Sequence, residues 1–289
     1  MKIDMEIRNL ANIDFDTLFH SFENAFSDYE IRFEKEEVRS MLERRGYDSH
    51  LSFAAFDNGK IVAFTLNGTG IFNGIPTAYD TGTGTIKEYR GQGIAGKIFS
   101  HSLPFLKGAG VGQYLLEVLQ NNHKAISIYR QMNFEVTRDF DCFRQTIGHI
   151  SNRQYNAGCI ITEVSSDHIR GAQNYCEISP SWQNSMDSID RGASNLICLG
   201  AFIDNVMVGY CVLDTHTGDL TQIAVQRDYR RQGIASRLLH EAVIRMKTDF
   251  IKVLNINSDY HPMLAFLESK NIHLASRQFE MILPLQSTR

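Results

Sequence analysis

Two short stretches of this sequence place arginine, glycine and alanine at one spacing. The first reads EYRGQGIAGKIF from Glu88 to Phe99, and the second reads DYRRQGIASRLL from Asp228 to Leu239. Both contain Arg-x-x-Gly-x-Ala, followed by the basic and apolar start of a helix. A loop before a helix exposes backbone N–H groups next to the positive end of the helix dipole. The N–H groups and the dipole together bind phosphate. The sequence therefore predicts a phosphate-binding loop in each stretch.

The first stretch also has the Gly-x-Gly-x-x-Gly spacing of a dinucleotide-binding fingerprint, from Gly91 to Gly96. The second copy lacks two of these glycines, because Arg231 and Ser236 stand in their places. A dinucleotide-binding fold carries its fingerprint directly after its first buried strand, whereas the residues before this loop are charged. Glu117 lies about 20 residues downstream, where a ribose-binding acid is expected. A dinucleotide-dependent oxidoreductase therefore stays as a remote alternative.

The two stretches indicate an internal duplication. Arg90 and Arg230 are 140 positions apart, about half of the 289-residue chain. Repetition at this spacing predicts two domains of like fold, and the chain length suits two cores of ordinary size. We place the first domain at residues 1–147, a polar linker at 148–158 and the second domain at 159–289.

Composition narrows the class of function. The formal charge of −4 gives no basic surface for nucleic acid, so we expect no nucleic-acid partner. No stretch approaches the roughly 20 apolar residues of a membrane span, and we expect no membrane partner. The five cysteines show neither CxxC pairs nor zinc-like spacing. They predict reduced, mostly buried thiols in a cytoplasmic protein without a metal site.

The residues after the first loop add a second motif. A strand, GQYLLEVLQ, is followed by NNHKAISIYRQMNFE, in which Asn122, Ala125 and Tyr129 are spaced as Asn-x-x-Ala-x-x-x-Tyr. Phe134 follows, and Asn133 precedes it. Loop, strand and motif together resemble the GNAT (Gcn5-related) N-acyltransferases. That family usually has glycine at the position of Asn133, but asparagine also adopts the left-handed conformation of a helix end.

The resemblance implies a mixed α/β (α+β) fold with two tandem GNAT-type domains, each a twisted, mostly antiparallel mixed sheet flanked by helices. It also implies acetyl-CoA as co-substrate and a primary amine, on a small molecule or a peptide, as acceptor. The coenzyme diphosphate is expected at the loop, and its pantetheine arm along the strand before the loop. The residues implied to bind the coenzyme are Thr85, Ile86, Arg90, Gly91, Gln92, Gly93, Ile94, Ala95, Gly96, Asn122 and Ala125, with Arg230, Arg231, Gln232, Gly233, Ile234, Ala235 and Ser236 in the second half.

Acetyl transfer to an amine requires two proton movements. The ammonium must lose a proton before its nitrogen attacks, and the departing thiolate benefits from gaining one. The resemblance places the hydroxyl of Tyr129 beside the sulfur, as the acid. Asp80 and Glu117 are candidates for the base. A carboxylate at the end of a strand and a tyrosine on a helix are also common as purely structural residues, and that interpretation stays open.

The second half departs from the motif at the acid. Leu267 stands where Tyr129 stands in the first half. The second domain either binds acyl-CoA without turnover, uses another acid such as Tyr260, or is itself the enzyme beside a scaffolding first domain. We assign catalysis to the first domain. For the whole chain, a non-catalytic acyl-CoA-binding or sensor protein is the alternative.

The elements that must position these residues follow a repeated order of strands and helices. Asn58-Gly59 predicts a hairpin turn. The polar strand YDTGTGTI, which leads into the first loop, contains Gly82 and Gly84 and predicts a bulge. After the strand that follows the loop we predict a helix from Lys124 to Met132, and the second half is expected to repeat the arrangement.

Overall fold

A computed structural model describes residues 5–28, 34–151 and 158–285 of the chain. Its elements in the first half are β1 (Glu6–Asn9), α1 (Phe15–Ala25), α2 (Lys35–Arg44), β2 (Phe53–Asp57), β3 (Lys60–Phe72), β4 (Ile75–Thr85), α3 (Ile94–Gly108), β5 (Gln113–Leu119), α4 (His123–Gln131) and β6 (Glu135–Thr146). Those in the second half are β7 (Ile160–Glu163), α5 (Ser166–Gly171), α6 (Met186–Arg191), β8 (Ile197–Ile203), β9 (Val206–Asp214), β10 (Asp219–Val225), α7 (Ile234–Arg245), β11 (Phe250–Asn257), α8 (His261–Ser269) and β12 (His273–Pro284).

The chain forms two compact units, each built from both halves of the sequence. The described residues of the first unit fall within Met1–Glu117, Arg130–Glu135 and Met281–Arg289, and those of the second within Val118–Tyr129 and Val136–Glu280. The predicted division of the sequence at 148–158 stays a prediction. The units differ from that division because β6 belongs almost wholly to the second unit. Residues 152–157 of the predicted linker lie outside the described residues.

The first unit has strands in the order β1-β2-β3-β4-β5. The β2–β3 hairpin turns at Asn58 and Gly59, as predicted, and both have the positive φ of a tight two-residue turn. Helix α1 begins after Asp14, whose carboxylate accepts a hydrogen bond from the Thr17 N–H at 2.9 Å. Its buried face, including Phe22, packs in a core with β2 and β3. In the same unit, the Leu285 N–H donates to the Gly112 carbonyl at 2.8 Å.

The second unit has strands in the order β12-β6-β11-β10-β9-β8-β7. Strand β6, which precedes the predicted linker in sequence, pairs antiparallel with β11 from Phe140 to Thr146. Helix α7 buries Ile234 and Leu238 against the sheet in one hydrophobic core. No helix in the described ranges is both long and apolar enough to cross a membrane.

The strand that leads into each loop is bulged at the corresponding residue. The pairing of β4 with β3 shifts at Thr81, and the pairing of β10 with β9 shifts at Thr221, 140 positions later. The bulge predicted from the glycines of β4 is therefore present. Strand β4 pairs in parallel with β5 only from Thr77 to Tyr79, and β10 pairs with β11 at Asp219. Because the rest of β10 continues past its parallel partner, a cleft opens ahead of the second loop.

Candidate functional site

The backbone of the two loops has one conformation. Gly91 and Gly93 have φ of 77° and 70°, and Arg231 and Gly233 have φ of 62° and 85°. Positive φ is unfavourable for a residue with a Cβ and natural for glycine. Arg231 therefore adopts the strained conformation that Gly91 adopts freely. The two copies therefore share the backbone conformation of the turn, although only the first copy has the Gly-x-Gly sequence.

A helix starts directly after each turn. Gly93 and Gly233 are the N-caps of α3 and α7, and within the described part of the chain no side chain caps either helix. A Cβ placed on Gly93 would meet no heavy atom of the protein within 4 Å. The space beside the first turn of α3 is therefore open at the positive end of the helix dipole. That arrangement suits a phosphate group.

The side chain of Arg90 braces the first loop. Its Nε donates to the carbonyl of Thr85 at 3.0 Å, and one terminal nitrogen donates to the carbonyl of Ala25 at 2.9 Å. The guanidinium also forms a bidentate ion pair with Asp28, at 2.5 and 2.7 Å. These contacts hold the loop to the end of β4 and to the end of α1. Direct contact of this side chain with a phosphate stays a prediction.

Arg230 repeats this brace in the second half. Its Nε donates to the Val225 carbonyl at 2.9 Å and a terminal nitrogen donates to the Tyr175 carbonyl at 3.1 Å. Its ion-pair partner is Glu177 at 2.9 Å. Each of the two arginines thus contacts a strand carbonyl, a carbonyl at the end of a helical segment, and a carboxylate. These shared contacts explain why both loops have an arginine at this position.

Asp80 lies on β4 beside the bulge. Its carboxylate accepts hydrogen bonds from the Gly82 N–H and the Thr83 hydroxyl, both at 2.9 Å. Burial raises the pKa of Asp80 to about 6, against the lowering effect of these hydrogen bonds and of the charge of Arg45. A carboxyl group with this pKa is ionised at neutral pH and basic enough to take up a proton.

The second base candidate, Glu117, lies on β5 and accepts a hydrogen bond from the Tyr79 hydroxyl at 2.9 Å. Burial raises the pKa of Tyr79 well above its usual value, and the negative charge of Glu117 raises it further. Arg45 donates to the carbonyl of the bulged Thr81 at 2.8 Å. The first unit thus brings Asp80 and Glu117, both predicted, into one polar cluster with Tyr79 and Arg45, which the sequence did not single out.

The motif on α4 has partly structural roles. The Asn122 side chain accepts a hydrogen bond from the Ala125 N–H at 3.2 Å and so caps the helix. Tyr129 is half-buried on the same helix. Asn133 has φ of 65°, the left-handed conformation expected of it. The contacts of these residues with coenzyme stay predictions.

Three of the predicted coenzyme residues are partly committed to the protein itself. The side chains of Ile94 and Ile234 are 3% and 1% exposed and pack in the cores. They offer only their backbone to a ligand. The Ile86 N–H donates to the Val62 carbonyl at 3.0 Å.

The second unit contains a cavity of about 490 Å³ at its loop, within the range of small-molecule sites. Strand β10, the end of β11, helix α8 and the segment around Cys176 form its walls. Five predicted residues line it: Arg230, Arg231, Gly233, Ala235 and Ser236. The sequence missed Gln222, Asn255 and Lys270, whose participation depends on how the strands diverge.

The lining of this cavity is mostly apolar, with basic and polar side chains among it. It includes Arg230, Arg231 and Lys270, and among the described lining residues there is no aspartate, glutamate or histidine. Burial raises the pKa of Tyr260, an effect opposed by Arg230. Burial also raises the pKa of Cys176, so this thiol stays protonated near neutral pH. Because the charge of Arg230 is compensated by Glu177, the cavity offers an anionic group mainly Arg231 and the start of α7.

The predicted catalytic positions are replaced in the second half. Leu220 lies 140 positions after Asp80, and it is fully buried. Counted from the following helix, as Leu267 matches Tyr129, residue Asn255 matches Glu117. Within the described residues of the whole chain, no group of three or more histidine, cysteine, aspartate or glutamate side chains is placed to hold a metal ion.

The chain belongs to the acetyltransferase (GNAT) family, whose family model matches residues 15–134 and 163–270. The predicted tandem GNAT organisation and mixed α/β fold are thereby confirmed. A tandem GNAT protein from the clavulanic acid biosynthesis pathway has a similar structure, with a TM-score of 0.75 and 13% identity, over 99% of this chain and 100% of that one. A GCN5-related N-acetyltransferase from Sphaerobacter thermophilus matches with a TM-score of 0.71 and 13% identity, over 98% and 96% of the two chains.

One relative is similar in sequence over a shorter stretch. N-alpha-acetyltransferase 30 from Schizosaccharomyces pombe is 33% identical over 84 residues. The match covers 29% of this chain and 56% of the relative, so this chain spans about half the length of that curated relative.

The loops generate a prediction about binding. Gly93→Val and Gly233→Val each place a branched side chain in the left-handed turn and in the space beside it. We expect each change to abolish acetyl-CoA binding at its own loop, because the backbone must leave the conformation that presents its N–H groups. Isothermal titration of each variant and of the double variant measures the number of sites. Parental binding by the double variant would contradict the assignment, and NADH serves as the control ligand.

Proposed function

We propose that the protein is an acetyl-CoA-dependent N-acetyltransferase whose first half catalyses transfer to a primary amine. The observation that carries this proposal is the buried carboxyl of Asp80, with a pKa of about 6, on the strand that leads into an intact loop. An amine acceptor is an ammonium at neutral pH and must be deprotonated before it reacts. Asp80 has the basicity that this step needs.

In this proposal, acetyl transfer needs no group beyond the side chains of the chain and the co-substrate. Asp80 takes the proton from the ammonium, and the neutral nitrogen then attacks the thioester carbon. The carbon–sulfur bond breaks, and the hydroxyl of Tyr129 protonates the departing thiolate. The nitrogen loses its second proton as the amide forms; this proton restores the Tyr129 hydroxyl, and the proton on Asp80 is released to solvent. The first-turn N–H groups of α3 hold the diphosphate of the coenzyme. Glu117 stays the second candidate for the base, through its hydrogen bond with Tyr79.

For the second half we propose coenzyme binding without turnover. Its cavity has the loop and a mostly apolar lining with basic side chains, which support binding of an acyl-CoA. In the second half, Leu220 and Leu267 stand at the positions of Asp80 and Tyr129, and both are fully buried. Leucine can neither take up nor donate a proton, so the two proton transfers lack a side chain at these positions. Tyr260 lines that cavity as a candidate acid, but its raised pKa makes it a weak one.

The similarity to one relative supports a proposal for the acceptor class. The relative from Schizosaccharomyces pombe is named an N-alpha-acetyltransferase, so an α-amino group of a peptide is the first acceptor to test. Small primary amines are the second. A sensor that binds acyl-CoA without any turnover is the rival from another class, and it predicts no release of coenzyme A with any amine.

The pH dependence of turnover tests the base. Because the pKa of Asp80 is raised to about 6, kcat/KM is expected to fall about tenfold per pH unit below that value, as the carboxylate is protonated. Asp80→Asn should remove this acidic limb and lower the rate at neutral pH by about 10²-fold or more. Burial disfavours the ionised form of Asp80, and asparagine carries no charge. The free energy of unfolding of Asp80→Asn at pH 7 should therefore not be lower than that of the parent. If Asp80→Asn keeps the acidic limb unchanged, Asp80 is not the base and Glu117 is the candidate. The matched variant Glu117→Gln then tests Glu117.

Removal of the Tyr129 hydroxyl tests whether this group is the catalytic acid. Tyr129→Phe keeps the ring on α4 and deletes only the hydroxyl, so stability and coenzyme affinity should stay near parental. Turnover should fall by about 10²-fold if the hydroxyl protonates the thiolate. Steady-state assays of coenzyme A release measure the change. Full activity in this variant together with loss of activity in Gly233→Val would instead place catalysis in the second half.

A further inference from the structure

The end of helix α2 lies directly against strand β3 of the first unit. The Thr69 N–H, on β3, donates to the Gly46 carbonyl at 2.9 Å. Beside this bond, a Cβ placed on Gly68 would overlap the carbonyl oxygen of Arg45. Because glycine has no Cβ, the two segments can approach this closely. The backbone of Arg45 is therefore fixed against the sheet.

The side chain of Arg45 contacts the bulge of β4. A terminal nitrogen of its guanidinium donates to the Thr81 carbonyl at 2.8 Å, and Thr81 is the residue at which the pairing of β4 with β3 shifts. The Thr81 hydroxyl donates to the Leu66 carbonyl at 3.0 Å. The bulged residue is therefore held by one contact from β3 and one from the end of α2. Asp80 directly precedes it on the strand.

The ionisable groups around the Asp80 carboxyl come from α2, β4 and β5. Arg45 acts on it from the end of α2, Tyr79 precedes it on β4, and Glu117 on β5 accepts the hydrogen bond of the Tyr79 hydroxyl. Strand β3 places the neutral Asn67 opposite Asp80, and the buried face of α1 is uncharged. Burial raises the pKa of Asp80, whereas the charge of Arg45 lowers it. Of these groups, Arg45 is the cation, and it favours the ionised carboxyl.

The second half of the chain lacks this arrangement. Its loop strand is also bulged, at Thr221, but Leu220 stands in place of Asp80. Helix α6, which precedes β8 as α2 precedes β2, has Gly192 as its C-cap, whereas α2 has Arg45. An arginine at this position therefore accompanies the carboxyl and not the bulge.

We propose that Arg45 is a positioning residue of the first-half site, which holds the bulge beside Asp80 and keeps the Asp80 carboxyl ionised near neutral pH. This inference rests on the proposed function, in which Asp80 takes the proton of the acceptor amine. The hydrogen bond to Thr81 holds the strand, and the positive charge opposes the effect of burial. Without that charge Asp80 becomes protonated at a higher pH, so less of the protein carries a competent base at pH 7.

A carbon-13 NMR titration of the Asp80 carboxyl measures this effect without any substrate, and Asp80→Asn identifies its resonance. In the parent the midpoint is expected at a pH of about 6. Arg45→Gln removes the charge and should move the midpoint to higher pH by about half a unit to one unit. Arg45→Met is a second uncharged variant and should give the same shift. Arg45→Lys keeps the charge and should keep the midpoint near the parental value.

Arg39→Gln is the matched control, because Arg39 is an exposed arginine of the same helix whose guanidinium lies over the ring of Phe15. This variant should leave the midpoint unchanged. A midpoint that stays at the parental value in Arg45→Gln and Arg45→Met overturns the proposal. A shift in Arg45→Lys as large as that in Arg45→Gln also overturns it, since it indicates a displaced helix end rather than a lost charge.

Acetyl transfer to a short peptide with a free α-amino group separates this inference from the proposed function. In Arg45→Gln, kcat/KM should fall about two- to fivefold at pH 6 and stay near parental at pH 8, because the acidic limb moves with the midpoint. If the midpoint moves but Asp80→Asn keeps its acidic limb, the role of Arg45 is supported and the assignment of the base fails. If Asp80→Asn loses the limb while Arg45→Gln leaves the midpoint unmoved, this inference alone fails.

Discussion

The site depends on a left-handed turn that an arginine holds at the end of a bulged strand. Each turn needs positive φ at two positions, and each is followed without a side-chain cap by a helix. The guanidinium of Arg90 or Arg230 ties the turn to a strand carbonyl five residues earlier. Because these contacts fix where the strand stops and the helix starts, they also fix where unpaired N–H groups point. In the second unit, the cavity beyond the end of the β10–β11 pairing leads to that point.

This scaffold is duplicated, but the chemistry around it is not. The first copy carries a buried carboxyl of raised pKa beside the bulge, and the second carries leucine at that position. The second copy instead has a mostly apolar cavity with basic side chains and without a described acidic or histidine lining. A duplicated domain needs its phosphate loop for binding, whereas acid and base are needed only where transfer occurs. The two halves are therefore consistent with a division between catalysis and coenzyme binding.

The sequence predicted the family, the duplicated loops and most of the elements, because each rests on local patterns. The hairpin at Asn58-Gly59 and the left-handed Asn133 follow from the preferences of single residues. The assembly of the units depends on long-range pairing, and no local signal reports that β6 pairs with β11. The brace made by Arg90 was missed for the same reason, since Asp28 is 62 residues away. Lys270 was missed because only the packing of α8 places it in the cavity.

Amide hydrogen exchange with and without acetyl-CoA tests the central claim, that both loops hold the coenzyme by their backbone N–H groups. In the free protein the first-turn amides have no helical acceptor and are expected to exchange fast. On addition of acetyl-CoA, exchange should slow in residues 92–96 and 232–236 and change little at the exposed turn around Gly59. Slowed exchange elsewhere, with both loops unchanged, would contradict the account.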